Sequence, residues 1–112
     1  MQSTSLTELA DELVRQAKES KAGRASRTVH GGREHALRQT MIALAAGEQL
    51  HEHESPDEAT VQVLRGRVRL STGSDSVELA ERDFLVVPPE RHAVEAADDA
   101  VLLLTTSMHG IG

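Results

Sequence analysis

The feature of this sequence that most constrains its fold is the spacing of apolar residues from Leu37 onward, where they recur at every second position in short runs. Successive side chains of a β-strand point to opposite faces, so such runs predict half-buried strands. In Arg67–Ser71, Val68 and Leu70 are expected to face inward and the two arginines outward. The predicted strands are Ala36–Ala45, Ala59–Leu64, Arg67–Ser71, Ser76–Leu79, Phe84–Val87, Ala93–Ala96 and Val101–Thr106.

Turn residues separate these strands and indicate how they are arranged. Glycine, proline, aspartate and serine cluster between the runs, as at Ala46-Gly47, Ser55-Pro56-Asp57, Arg65-Gly66 and Pro88-Pro89. Short strands at intervals of about 8–12 residues favour a sandwich or barrel over a parallel α/β sheet. The sequence therefore predicts an all-β antiparallel barrel.

The N-terminal segment Thr7–Ser20 has a different period, because Leu9, Leu13 and Ala17 recur at every fourth position. This spacing predicts a helix, with Thr7 as its N-cap. The small, basic segment Lys21–Arg27 is expected to be a connector. We assign residues 1–23 to an N-terminal helix and connector, and residues 24–112 to the barrel domain.

Composition excludes several classes of function. The chain has no cysteine, so it has neither disulfides nor thiolate metal ligands. A net charge of −6, with one phenylalanine and no tryptophan or tyrosine, argues against nucleic-acid binding. No apolar run approaches the roughly 18 residues of a membrane span, and the N-terminus lacks the layout of a signal peptide, so we expect a cytoplasmic protein. Small barrels must cover their edge strands, which favours a homodimer.

Histidines supply the candidate metal ligands. His51 and His53 are separated by one residue, so in an extended segment both imidazoles would lie on one face. His92 is the natural third ligand, and Glu58 or Glu54 the natural carboxylate, for a divalent ion such as Zn²⁺, Ni²⁺, Mn²⁺ or Fe²⁺. Histidines in a polar loop can equally be solvated surface residues without a ligand role.

The segment Gly47–Gly66, GEQLHEHESPDEATVQVLRG, resembles the first motif of the cupin family. That motif reads Gly, five residues, His, one residue, His, three or four residues, Glu, six residues, Gly. With both glycines matched, His53 takes the first His position, while Ser55 and Ala59 replace the second His and the Glu. A second frame starts at His51 and His53 and places Glu58 at the Glu position, but it changes the spacing to both glycines.

The segment around Pro88 and His92 resembles the second cupin motif, with Arg82, Glu90 and Ala96 at positions where the family has Gly, Gly and Asn. The resemblance covers approximately residues 37–106. It implies a cupin-type barrel, also called a double-stranded β-helix or jelly roll, whose interior often holds a metal. Residue by residue, it favours His53 and His92 as metal ligands, with His51 and Glu58 as replacements.

Three functions are compatible with these residues. The first is a small-molecule-binding module whose apolar pocket is formed by inward residues, for example Val61, Val63, Val86, Val94 and Leu103, with His53 and His92 as polar anchors. The second is a metal-dependent oxygenase or isomerase acting on a small polar substrate. The third is a ligand-sensing or interaction protein without catalysis.

The remaining histidines, His30, His35 and His109, lie outside both motifs and are expected at the surface or rim. His35 is the one that could still reach the pocket, because it opens the apolar segment HALRQTMIAL. If that segment is a strand beside the pocket, it could present His35 or Gln39 to it. Alternation would send Arg38 and Thr40 to the face opposite that of Gln39.

Overall fold

The computed structural model describes residues 1–53 and 58–107, except for the side chains of residues 52 and 53. Its helix, α1, spans Leu6–Glu19. The strands are β1 (Arg24–His30), β2 (Leu37–Leu44), β3 (Gln49–His53), β4 (Ala59–Arg65), β5 (Val68–Ser71), β6 (Ser76–Leu79), β7 (Phe84–Val86), β8 (His92–Ala96) and β9 (Ala100–Ser107). Within the described residues, no helix is long and apolar enough to cross a membrane.

The helix begins two residues earlier than predicted from its cap. Ser5 has extended backbone angles, and its hydroxyl accepts a hydrogen bond from the Glu8 N–H at 3.2 Å, so Ser5 is the N-cap. The prediction of Thr7 as the cap is wrong, because Thr7 already lies inside the first turn. The predicted apolar face is confirmed, since Leu9, Leu13 and Ala17 are all buried.

Two antiparallel sheets form the body of the molecule. The five-stranded sheet has the order β1-β2-β9-β4-β7, and the four-stranded sheet has the order β3-β8-β5-β6. Their inner faces meet in one core, to which both sheets contribute, for example Val61 and Leu102 from the first sheet and Val68, Leu70 and Val94 from the second. The prediction of an all-β antiparallel fold with an N-terminal helix is confirmed.

Helix α1 covers part of the outer face of the five-stranded sheet. Leu13, which is fully buried, packs in a second cluster with Met41 and Ala43 of β2 and Val101 of β9. The Arg27 guanidinium on β1 also pairs with Glu12 of the helix, at 2.9 Å. The inner face of this sheet is therefore buried at its central strands and exposed along β1, and its outer face is covered only in part.

Two inward residues were predicted in the wrong register. Val86 lies opposite Thr60 on the outer face, whereas Leu85 lies opposite the buried Val61. Leu103 likewise faces outward, because its neighbour Leu102 is the residue in the inner core. Both errors fall in uninterrupted apolar runs, FLVV and VLLL, where alternation gives no preference between the two registers.

The predicted connector Lys21–Arg27 is also partly wrong, because Arg24–Arg27 forms the first half of β1. This strand pairs along β2, from Arg24 opposite Leu44 to His30 opposite Gln39. Its sequence, RASRTVH, has only Ala25 and Val29 as apolar residues, and both are half-buried against the helix cluster. Tertiary packing against α1 therefore stabilises a strand with a weak apolar pattern.

Candidate ligand and metal site

One end of the two-sheet body, which we call the histidine end, collects the residues singled out in the sequence. Strands β1, β3 and β9 finish there, at His30, His53 and Ser107, and β2, β4 and β8 begin there. Antiparallel pairing fixes this arrangement within each sheet, and the short link between β2 and β3 aligns the two sheets. The fold thus brings together segments that are distant in the sequence.

The register between β3 and β8 places the two preferred metal ligands directly opposite each other. Gln49 pairs with Glu95, Leu50 with Val94, and His53 with His92. The register shifts by one residue between Leu50 and His53, so simple alternation does not continue through His51. The extended conformation on which the His51–His53 argument depended is confirmed over Gln49–His53.

His92 is buried within the described part of the molecule, with 4% of its surface exposed. It follows Arg91 and begins β8, two residues before Val94, which packs in the inner core. The Nδ1 of His92 lies 3.0 Å from the carbonyl oxygen of Glu90. A carbonyl can only accept, so Nδ1 is the protonated nitrogen, and in the neutral ring the lone pair is on Nε2.

The alternative ligands are placed less favourably. The side chains of His51 and Glu58 are both exposed, and the backbone carbonyl of Glu58 accepts a hydrogen bond from Ser107. Ala59, at the Glu position of the glycine-matched frame, is buried in the inner core. Among the side chains that the structure describes, no three His, Asp or Glu residues form a metal-binding cluster.

Other predicted candidates fall outside the site or outside the described residues. Glu54, Ser55 and His109 lie outside the described residues. The strand begins at Leu37 rather than His35, and the His35 ring instead packs on His30, with centroids 4.5 Å apart. Gln39 donates to the Thr105 hydroxyl at 3.3 Å.

The opposite end of the body, which we call the glycine end, contains the two motif glycines. Gly47 has a φ of 88° and Gly66 a φ of 76°, values that favour glycine. A Cβ on Gly66 would collide with the carbonyl oxygen of Asp99. The glycines thus mark turns, as the family pattern implies, and the frame that matches both of them has a structural basis.

The glycine end also contains Asp99, a carboxyl group with a lowered pKa. The Ala46 N–H donates to the Asp99 carboxylate at 2.9 Å, and this hydrogen bond holds the pKa of Asp99 below its ordinary value. Partial burial opposes the shift, and Lys18, at 3.4 Å, adds to it. The interaction stabilises a turn and lies away from the histidines.

Sequence reasoning missed a cavity of about 390 Å³ at the junction of the two sheets. It lies where the edge strand β1 faces the edge strand β3, and it is lined by Arg24, Ser26, Thr40, Ile42 and Leu50, among others. The missed signal is the alternation of Arg24, Ser26 and Thr28 on one face of β1. A search for alternating apolar residues does not detect a strand face that consists of polar residues.

Comparison with known proteins gives the same fold. A family model described as "Cupin domain" matches residues 40–107. An RmlC-like cupin from Desulfovibrio desulfuricans is 22% identical, with 96% of both chains covered and a TM-score of 0.72. A conserved protein of unknown function from Streptococcus pyogenes is 25% identical over 82% of this chain and 80% of its own, with a TM-score of 0.71.

A cupin superfamily protein from Desulfitobacterium hafniense is 20% identical, with 77% of this chain and 78% of its own chain covered and a TM-score of 0.70. A search of curated proteins found no match. The match over residues 40–107 covers more than half of the chain and includes both motif segments. The protein therefore belongs to the cupin family.

Proposed function

We propose that this cupin binds a small molecule between the inner faces of its sheets at the histidine end, with a divalent metal as cofactor. The observation that carries the proposal is the register of β3 and β8, which sets His53 opposite the buried His92. Opposite residues in an antiparallel ladder are close neighbours, so this pairing favours His53 as the partner of His92. The absence of cysteine is compatible with a cytoplasmic location.

The donor chemistry around His92 fits a metal ion. Its Nδ1 is anchored by the Glu90 carbonyl, an arrangement that commonly orients metal-binding histidines and directs Nε2 to the ion. His53 would be the second ligand, with His51 and Glu58 ranked below it. Neutral imidazoles suit Zn²⁺, Ni²⁺, Mn²⁺ or Fe²⁺, and the missing thiolates exclude sites that require cysteine.

A metal-dependent oxygenase or isomerase acting on a small polar substrate is the second candidate function. A metal with open coordination positions would supply Lewis-acid or oxygen-activating chemistry. The replacement of two family ligand positions by Ser55 and Ala59 favours such open positions but also weaker metal retention. The third candidate function, ligand sensing without catalysis, would use the same site and would differ from the enzyme only in the absence of turnover.

Metal uptake by single histidine variants tests the site. Purified His53→Ala and His92→Ala are expected to lose most of the bound metal measured by elemental analysis, while His51→Ala retains it. His30→Ala is the control, because His30 is exposed and outside the β3–β8 ladder. Since histidine binds metals in its neutral form, wild-type metal affinity should fall on acidification.

Uptake that survives His53→Ala and His92→Ala but is abolished by His51→Ala would show that the glycine-matched frame is wrong. A metabolite screen by thermal shift, with metal-loaded and chelated samples, separates the functions. Ligand shifts that persist with chelator support a binding module, and turnover that is lost with chelator supports the enzyme. If neither metal nor any metabolite changes the melting temperature, the proposal fails.

We also propose a homodimer formed through the outer face of the five-stranded sheet. The part of this face that α1 leaves uncovered exposes Leu37 at 54%, Phe84 at 60% and Val86 at 60%. We define the outer patch as these residues together with their outward neighbours Gln39, Thr60, Gln62, Leu103 and Thr105.

The outer patch contains no charged residue, although charged residues make up 27% of the chain. Two copies that each carry a net charge of −6 repel each other, and a charge-free interface avoids adding like-charge contacts at its centre. A two-fold axis brings the same patch of both copies together. The partner that the outer patch fits is therefore a second copy of this chain.

A further inference from the structure

We propose that the cavity between β1 and β3 is a binding site for a small amphipathic monocarboxylate. The site is separate from the histidines, and it requires no metal. Its volume, about 390 Å³, is near the lower end of the range of about 300–1,000 Å³ that is usual for ligand pockets. A short-chain carboxylic acid is of a suitable size.

The lining combines one cation, two hydroxyls and four apolar residues, of which Ile42 and Leu50 are the large ones. Arg24 lies opposite Leu44, and Ser26 lies opposite Ile42. Because Leu44 belongs to the inner core and Ile42 packs against it, Arg24 and Ser26 are on the inner face of β1. Across the cavity, Leu50 of β3 packs against the same core. A ligand there meets polar groups on β1 and β2 and apolar groups on β2 and β3.

Arg24 is the group that would recognise the carboxylate. Four other basic residues in the described part form ion pairs, but no acidic side chain described by the structure lies within ion-pair distance of Arg24. A guanidinium binds a carboxylate through two parallel hydrogen bonds. The hydroxyls of Ser26 and Thr40 are further donors, and Ile42 and Leu50 offer contacts for an alkyl chain.

The charge around the cavity favours a monoanion over a phosphate. The side chain of Glu48 lies over Gly23, where a Cβ would meet its Cγ and Cδ atoms. Gly23 is next to Arg24 in the chain, so a carboxylate approaches the region and partly offsets the arginine. A site with one cation and a nearby acid stabilises a single negative charge better than two.

The test uses hexanoate and its neutral analogue hexanamide, with chelator present so that the histidine site does not contribute. Binding is followed by amide chemical shifts in NMR titrations. Hexanoate should shift the amides of residues 22–26 and 40–42, and hexanamide should bind at least about tenfold more weakly because it lacks the charge-assisted pair.

Three variants identify the recognising groups. Arg24→Gln should weaken hexanoate binding at least about tenfold, whereas Arg15→Gln, on the exposed side of α1, changes the net charge equally and should leave it within about twofold. Glu48→Gln should strengthen binding, because it removes the opposing charge. Thr40→Val keeps the side-chain shape but removes the hydroxyl. It should weaken the binding of both probes or of hexanoate alone, and it should strengthen the binding of neither.

Equal affinity for hexanoate and hexanamide, equal effects of Arg24→Gln and Arg15→Gln, or no binding of hexanoate would each overturn the proposal. Arg24 is exposed, so its variant should fold, and an unchanged melting temperature verifies this. The outcome is distinguishable from that of the proposed function, because His53→Ala and His92→Ala should leave hexanoate binding unchanged.

Discussion

At the scale of single residues, Gly66 lies where the neighbouring backbone leaves no room for a side chain. Its φ of 76° strains any side chain, and a Cβ there would collide with the Asp99 carbonyl. We expect Gly66→Ala to lower the free energy of unfolding by about 2 kcal/mol or more. Gly73→Ala is the control, because a Cβ at Gly73 meets nothing within 4 Å. Equal urea-denaturation midpoints for the two variants would contradict this explanation.

Asp99 ties the same turn to the turn at Ala46, and its effect should depend on pH. Its pKa is lowered in the folded state, so the interaction stabilises the protein above the ordinary value of 3.8 and is lost as pH falls through the folded-state pKa. Because the side chain is 38% exposed, we expect Asp99→Ala to cost only about 1 kcal/mol at pH 7.

Urea denaturation between pH 3 and pH 7 measures this difference, with Asp98→Ala as the exposed neighbour for comparison. The gap between wild type and Asp99→Ala should close at the acid end of the range. A gap that stays constant with pH would mean that the Asp99 charge has no part in the stabilisation.

At the scale of elements, the start of helix α1 allows a test of whether Ser5 or Thr7 is the N-cap. Ser5→Ala removes the hydroxyl that accepts the Glu8 N–H and should cost about 1 kcal/mol. Thr7→Ala should cost much less, because the structure places Thr7 within the helix. Thermal denaturation of both variants decides between the two caps. A larger loss for Thr7→Ala would restore the cap predicted from the sequence.

Elements with strong patterns were predictable, and the others depended on packing. Val68 and Leu70 were correctly predicted to be inward because Arg67 and Arg69 fix the alternation. Strand β1 was missed because its stability depends on α1 and β2 rather than on its own apolar residues. The pairing of His53 with His92 could not be read from spacing alone, since the register shift after Leu50 is set by the ladder with β8.

At the scale of the whole molecule, the outer patch makes a testable interface. Phe84→Glu should convert the proposed dimer to monomer at tens of micromolar, because it would bury two carboxylates at a two-fold interface. Val77→Glu is the matched control, since Val77 is also exposed, at 39%, but belongs to the four-stranded sheet. Light scattering measures the mass. A monomeric wild type, or a dimer unaffected by Phe84→Glu, would contradict the assignment.

The position of β9 has a consequence for the order in which the chain acquires its structure. β9 is the last described strand in sequence, yet it lies at the centre of the five-stranded sheet, between β2 and β4. During synthesis the hairpin of β1 and β2 and the later pair of β4 and β7 have no common neighbour until residues 100–107 leave the ribosome. Long-range pairing of this kind folds slowly. We therefore expect the nascent chain to expose strand edges until late in translation, which is the interval in which chaperone contact would matter most.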